Sequence, residues 1–406
     1  MKSERGILMD ILKKEWLKDI NERKDQVIAY RRYLHQYPEP SFHEYETSQF
    51  IYDEMSKLNN VEVTRPTETS VLVKIAGSKP GKKIGLRADI DALPIQEERP
   101  EFDFQSKKDG FMHACGHDGH TAILMVATQF LAEHTDELEG EIYSIFQHAE
   151  ETPPGGAQEM VATGLFNDFD FIYGHHLFST IPLGIMDIKS GPNSGNSDLY
   201  ELKIFGRGGH AAYPQDSIDP VIIGGQIIEK LQTIVSRKVP PLNAAVISNT
   251  VFQAGSTNAL NIIPDTAILG GSVRTDNTEV RKMVAEEIER VVKATCEAYG
   301  ATYELDYTLG YSAVFNYVEP TKIVKDIAEN LFPGKTTELP LSLGGEDFSA
   351  FSDIVPATYI WIGAGNPEKG YDYPHHHPKF ALDEESFLIG VKMFIAVAAN
   401  YSNLSN

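Results

Sequence analysis

HACGHDGHTAILMVATQFLA, residues 113–132, sets three histidines, a cysteine and an aspartate within eight positions at the head of an apolar run. In that run Ile123, Leu124, Val126, Ala127, Phe130 and Leu131 recur at steps that share one helical face, which predicts a helix beginning at the polar cluster. The segments around it are short and apolar. KIGLRADIDALP (83–94) and EIYSIFQHAEE (141–151) flank it, and FDFIYGHHLF (169–178) and TYIWIGAG (358–365) follow. Strands alternating with helices predict an α/β body with a largely parallel sheet.

Polar residues fall where such a sheet presents its ligands, beyond the carboxyl ends of the strands. Asp89 and Asp91, then Glu150 and Glu151, then His175 and His176, each close an apolar run, and HHHPKF (375–380) follows the last one. Imidazole, carboxylate and thiolate are together the donors of zinc and its transition-series neighbours. A calcium or magnesium site would be oxygen-rich. No C-x-x-C, H-E-x-x-H or G-x-S-x-G is present, and GRGGH (206–210) lacks the lysine of a phosphate loop. A pair of glutamates at a strand end suits metal-assisted hydrolysis, one carboxylate for the metal and one for the proton. Cys115, at a helix start, is expected to favour the thiolate.

The pattern changes at SGPNSGNS (190–197). Beyond it the reading is strand 199–205, helix 217–237, strands 245–253 and 266–274, helix 278–299 and strand 302–308. That βαββαβ order is ferredoxin-like. Val221, Gly224, Ile228, Leu231 and Val235 are read as the buried stripe of its first helix. The expected organisation is a metal-binding catalytic domain over 1–191 and 310–406, with 192–309 inserted. Residues 22–58 are read as helical and 384–399 as a closing helix.

The chain has 406 residues, a net charge of −22 and 42% hydrophobic residues. This length predicts two domains, and the acidity argues against nucleic acid or an anionic membrane as a partner. The N-terminus does not read as a signal peptide, and no run of about 18 apolar residues is read as a membrane span, so the expected location is cytoplasmic. Of the two cysteines, Cys296 lies in a helical pattern and reads as a buried small hydrophobe.

Together RRYLHQYPE, RADIDALP, HACGHDGHTA, the AEE pair, GHHL, GRGGHAAYP, NIIP, VRT, GGEDFS and HHHPKF resemble the aminoacylase, hippurate hydrolase and auxin–amino acid amidohydrolase branch of the dinuclear metallopeptidase superfamily. They run in the family's order from residue 31 to 383. The resemblance implies two divalent ions per subunit (zinc, manganese, cobalt or nickel) on Cys115, His117, Glu151, His176 and His376, with Cys115 bridging. It also implies Glu150 as general base and Asp89 supporting the site from behind. Arg87 stands where many members have a ligating histidine. The inserted domain resembles the family's lid and dimerisation domain. There His210 would polarise the scissile carbonyl in the partner subunit's site of a homodimer, while Asn261 and Arg274 hold the substrate.

The expected activity is metal-dependent hydrolysis of N-acyl amino acids or short peptides, with a dipeptidase or aminopeptidase as the near alternative. A cysteine hydrolase on Cys115 and His117 leaves Glu151, His176 and His376 without roles. A non-catalytic binder leaves the glutamate pair unexplained.

Overall fold

The computed structural model describes residues 11–405, which divide into two units. The first runs to Asn193 and resumes over Val314–Pro340 and from Asp347 onward; the second is Ser194–Ala313 with Leu341–Glu346.

The first unit is built on an eight-stranded sheet. Its order is Val61–Thr64, Val71–Ala76, Glu139–Gln147, Lys79–Asp89, Phe171–Pro182, Ala357–Gly365, Met186–Asp187, Thr336–Thr337. The four long central strands, from Glu139–Gln147 to Ala357–Gly365, are parallel. The two strands beyond Glu139–Gln147 are antiparallel, as is the contact of Ala357–Gly365 with Met186–Asp187. The sheet is therefore mixed at its edges and parallel where both faces are covered, which is where parallel pairing is found. Ala357–Gly365 is buried at every position, so it reads as an unbroken apolar run. One face packs Ile142, Phe146, Phe171 and Tyr173 against the His117–Glu133 and Phe387–Leu404 helices. The other packs Tyr143, Ile145, Ile172 and Trp361 against Met160, Phe166 and Phe351.

Three helical expectations change. The 22–58 stretch is broken into Lys24–Gln36 and Tyr45–Ser56, with a further helix, Lys14–Glu22, before it; Pro38, Pro40 and a left-handed Phe42 (φ 65°) interrupt it. The His117–Glu133 helix is buried all round from His117 to Ala132 rather than on one face, because the Lys24–Gln36 and Phe387–Leu404 helices also pack on it. The last segment, Glu384–Leu404, is long and apolar enough to cross a membrane. Here it is a core helix, with Phe387, Val391, Phe394 and Val397 fully buried.

The second unit contains strand Asn196–Phe205, helix Pro220–Arg237, strands Ala245–Ala254 and Thr266–Thr275, helix Thr278–Tyr299 and strand Thr302–Tyr311. The four strands form an antiparallel sheet in the order Ala245–Ala254, Thr266–Thr275, Asn196–Phe205, Thr302–Tyr311. The side chains of Asp219 and Asn277 accept the N–H groups of Val221 and Val280 and cap the two helices. On Asn196–Phe205, Tyr200, Leu202 and Ile204 point inward, while Glu201 is exposed and Lys203 half-buried. Ile223, Gly224, Ile227, Leu231 and Ile234 of the first helix are buried; of the expected stripe Gly224 and Leu231 are buried, Ile228 and Val235 pack half-buried against the core, and Val221 is exposed. The stripe is centred about one position away from the expected one because this helix carries apolar residues on more than one face. The unit extends past the expected 309 because Tyr311 still pairs with Ser197, and Leu341–Glu346 joins it where Gly195 N–H donates to Gly344 O (3.0 Å).

Ile288 is fully buried in this second core. Ile288→Ala is expected to cost about 2–5 kcal/mol, read as a lowered urea midpoint at unchanged slope.

Candidate metal centre

The central strands converge on one group of side chains. Lys79–Asp89 delivers Asp89 at its end and Asp91 two residues later, and Glu139–Gln147 leads through His148 and Ala149 to Glu150 and Glu151. Ala149 has φ 50°, a left-handed kink at the point where a regular strand would send successive side chains to opposite faces. Gly116, at φ 95°, caps the helix that starts at His117; a Cβ there would lie 2.8 Å from Leu382 Cδ1. Only glycine fits between Cys115 and His117 without strain.

Two sets of potential donors share Cys115. Cys115, His117 and His176 form one, Cys115, Glu151 and His376 the other, with the atoms of each set within 4.8 Å of one another. Cys115 Sγ is 3.4 Å from His176 Nε2, and His376 Nε2 is 3.3 Å from Glu151 Oε1. Glu150 is buried, its Oε2 4.0 Å from His117 Nε2.

Hydrogen bonds fix the tautomers. His117 Nδ1 donates to the side chain and carbonyl of Asp91 (3.0 Å each) and His176 Nδ1 to Leu177 O (2.8 Å). Both imidazoles therefore turn an Nε2 lone pair toward the cluster, as metal-ligating histidines do. His120 differs: its Nδ1 donates to Asp89 Oδ1 (2.6 Å) and its Nε2 accepts the Leu177 N–H (2.9 Å), so neither nitrogen is available.

Within the histidine runs the chain discriminates sharply. His175 is buried with its ring 4.2 Å from Phe394, pointing away from His176. His375 Nε2 donates to Leu177 O and His377 Nδ1 accepts the Lys379 N–H. His376 adopts φ 65° and donates its N–H to Ala114 O (2.9 Å), which ties its loop to the segment carrying Cys115.

Asp89 lies behind the cluster, held by His120 and by Arg87 Nη1 (2.7 Å). The acid that holds His117 is Asp91. Its other oxygen accepts Ser41 Oγ (2.7 Å) and the Glu151 N–H (3.0 Å). Sequence reasoning gave Asp91 no role; its signal was the second acid of RADID. Arg87 is fully buried among Asp89, Gln147, Tyr359 and Asp347.

The charge balance suits cations. Against burial, which alone would lower it, Asp89, Asp91 and Glu151 push His117 up to about 10. Cys115 reverses its expectation: burial and the charges of Glu151, Glu150 and Asp89 push the thiol well above its usual value, outweighing the helix dipole. His117 Nε2 and Glu151 Oε1 are buried without a hydrogen bond, at a cost of about 1–3 kcal/mol for such groups. Divalent ions on these donors would satisfy both atoms and offset the carboxylates.

In the second unit His210 is exposed and accepts the Ala212 N–H at Nδ1 (3.0 Å). The Ala211 N–H donates to Asn261 O (3.0 Å), so His210 and Asn261 line one open pocket with Gly208, Gly209 and Pro264. Arg274 sits half-buried near the end of Thr266–Thr275, its Nε bonded to Ser272 Oγ (3.1 Å).

Buried imidazoles, paired carboxylates and a cysteine sulfur, gathered beyond the ends of parallel strands, define a metallohydrolase. Residues 85–400 match peptidase family M20/M25/M40, and the chain belongs to that family. It is similar to the N-acyl-L-amino acid amidohydrolase of Geobacillus stearothermophilus, with 45% identity over 76% of this chain and 82% of that one. It is 39% identical to thermostable carboxypeptidase 1 of Saccharolobus solfataricus, over 97% of this chain and 100% of that one. The crystal structure of the Bacillus subtilis YXEP protein, a dinuclear metal-binding peptidase from the M20 family, superposes with a TM-score of 0.81 at 34% identity, covering 94% and 99% of the two chains. The chain is an amidohydrolase, an enzyme of carbon–nitrogen bonds whose site takes two divalent metals.

Asp91→Ala is expected to weaken metal binding by about 10–100-fold, measured by competition with a chromogenic chelator. Unchanged affinity would remove Asp91 from the support of His117.

Proposed function

We propose that the chain hydrolyses the amide bond of N-acyl amino acids or short peptides, using Glu150 as general base beside two metal ions. The observation that carries this reading is the turned strand end at Ala149, where Glu151 joins the set with Cys115 and His376 and Glu150 lies outside both sets that share Cys115. Cys115, His117 and His176 would hold one ion and Cys115, Glu151 and His376 the other, with the thiolate shared. When bound, the two ions acidify a water molecule and polarise the amide carbonyl. Glu150 takes the proton of the attacking water and delivers it to the departing nitrogen. Asp91 keeps His117 in the ligating tautomer, and Asp89, clamped by Arg87 and His120, stays ionised behind it. A donor set with a thiolate favours zinc, and manganese, cobalt and nickel are compatible.

The order and pairing of the second unit's strands support its reading as an inserted ferredoxin-like lid that also serves a homodimer. In that role His210 polarises the scissile carbonyl in the partner subunit's site, and Asn261 and Arg274 hold the substrate's carbonyl and carboxylate. A planar guanidinium suits the latter. A cytoplasmic setting fits a thiol ligand kept reduced. Dipeptide or N-terminal peptide cleavage is the same chemistry on a different acyl group, and the relatives' named activities include both deacylation and carboxypeptidase action. A cysteine hydrolase is disfavoured, since the three carboxylates oppose the thiolate and His117 Nε2 faces Glu150 and Glu151.

Glu150→Gln is expected to lower kcat by about 10²–10⁴-fold while the variant keeps its metal content by elemental analysis. Retained turnover would overturn the assigned base. Stripping the metals is expected to abolish hydrolysis of an N-acyl amino acid panel, and readdition to restore it; activity that survives stripping would return the cysteine mechanism to consideration.

A further inference from the structure

RRYLHQYPEPSFHEYE (31–46) supplies none of the potential metal donors found among the described residues, yet it touches the candidate centre from behind at three places. Arg31 and His35 both pair with the buried Asp118, next in sequence to His117 (2.9 and 2.7 Å). Ser41 donates to Asp91. Glu44, fully buried, reaches the turn that carries the glutamate pair.

The Glu44 contacts are specific. Its Oε1 accepts the N–H of Ala149 (2.8 Å) and that of Phe42 (2.9 Å), while Oε2 accepts the Thr69 hydroxyl (3.0 Å). Ala149 is the left-handed residue directly before Glu150, and an L-residue stays in that region only where its surroundings hold it. Its carbonyl is held by the Gly156 N–H (3.0 Å), and its N–H by Glu44. The following glutamate has its own anchor, since the Glu151 N–H goes to Asp91. The backbone on either side of Glu150 is thus held by two different buried acids.

We infer that Glu44 is a positioning residue that fixes the turn at Ala149 and thereby aims Glu150, while Asp91 separately fixes Glu151 and His117. The inference rests on the reading of Glu150 as the base. Burial and the charge of Asp91 push the Glu44 carboxyl up to about 7. A proton on Oε2 leaves Oε1 free to accept both backbone N–H groups, so the neutral form keeps the same grip. Glutamine has that arrangement too, with its Nε2–H donating to the Thr69 hydroxyl.

The test compares Glu44→Ala, Glu44→Asp and Glu44→Gln in the full chain loaded with zinc, on an N-acyl amino acid that the parent cleaves. Glu44→Ala is expected to lose roughly 10–100-fold in kcat, with KM little changed and the metal content of the parent. Glu44→Asp keeps the charge but is one methylene too short to reach Ala149; it is expected to show the same loss and stands in if the alanine variant does not fold. Glu44→Gln is expected to restore most of kcat. Full activity in Glu44→Asp, loss of metal in step with activity, or a glutamine variant no better than aspartate would each overturn the inference. Glu150→Gln run in parallel separates the two readings. An active Glu150→Gln removes the base, whereas an inactive one beside a fully active Glu44→Asp removes only the positioning role.

Discussion

Burying negative charge is the constraint around which this structure is arranged. Asp89, Asp91, Asp118, Glu150 and Asp347 are almost wholly withdrawn from water within one unit, and an unpaired carboxylate in such a place is prohibitively costly. Each of the four aspartates has a compensating partner. Arg87 serves Asp89 and Asp347, Arg31 and His35 serve Asp118, and His117 serves Asp91. Arg31 and Arg87 are themselves fully buried, so they cannot be exchanged for exposed charges. At the centre the protein cations run out, and His117 and Cys115 are both pushed toward holding a proton. Divalent ions on the same donors would replace those protons and close the balance.

The parallel strands make such a concentration possible. They end side by side, so acids and imidazoles far apart in the chain arrive at one edge of the sheet. The helices over that sheet must be rigid for the geometry to hold. The His117–Glu133 helix is enclosed on every side, with Gly116 allowing its first turn to start within reach of the strands. Its first residue is a candidate ligand, its second is the pivot for Arg31 and His35, and its fourth locks Asp89. One helical turn therefore transmits the packing of the core to the metal centre.

Much of this was legible from the chain. The apolar runs marked the central strands because strands covered on both faces need no polar alternation, and the acids and histidines at their ends marked the site. The second unit's order of strands and helices was read with bounds within three residues, since its elements carry their own caps or periodicity. The stripe of the Pro220–Arg237 helix was centred about one position off, with Val221 exposed in place of Ile223 and Ile227, because several apolar faces satisfy the same spacing. The thiol of Cys115 was misjudged because the helix dipole is a local feature, whereas Glu150 and Glu151 approach from another strand.

The sequence by itself determined the kinds of donor present and their position at strand ends, because burial pattern and local spacing are properties of neighbouring residues. Only the tertiary structure decided which neighbour turns inward. His176 faces Cys115 while His175 enters the core, His376 turns in where His375 and His377 bond to the main chain, and Asp91 rather than Asp89 holds His117. It also decided that Glu44, distant in sequence, grips Ala149. Those choices depend on left-handed backbone at Ala149 and His376 and on hydrogen bonds between residues far apart in sequence, and such contacts exist only once the chain has closed on itself.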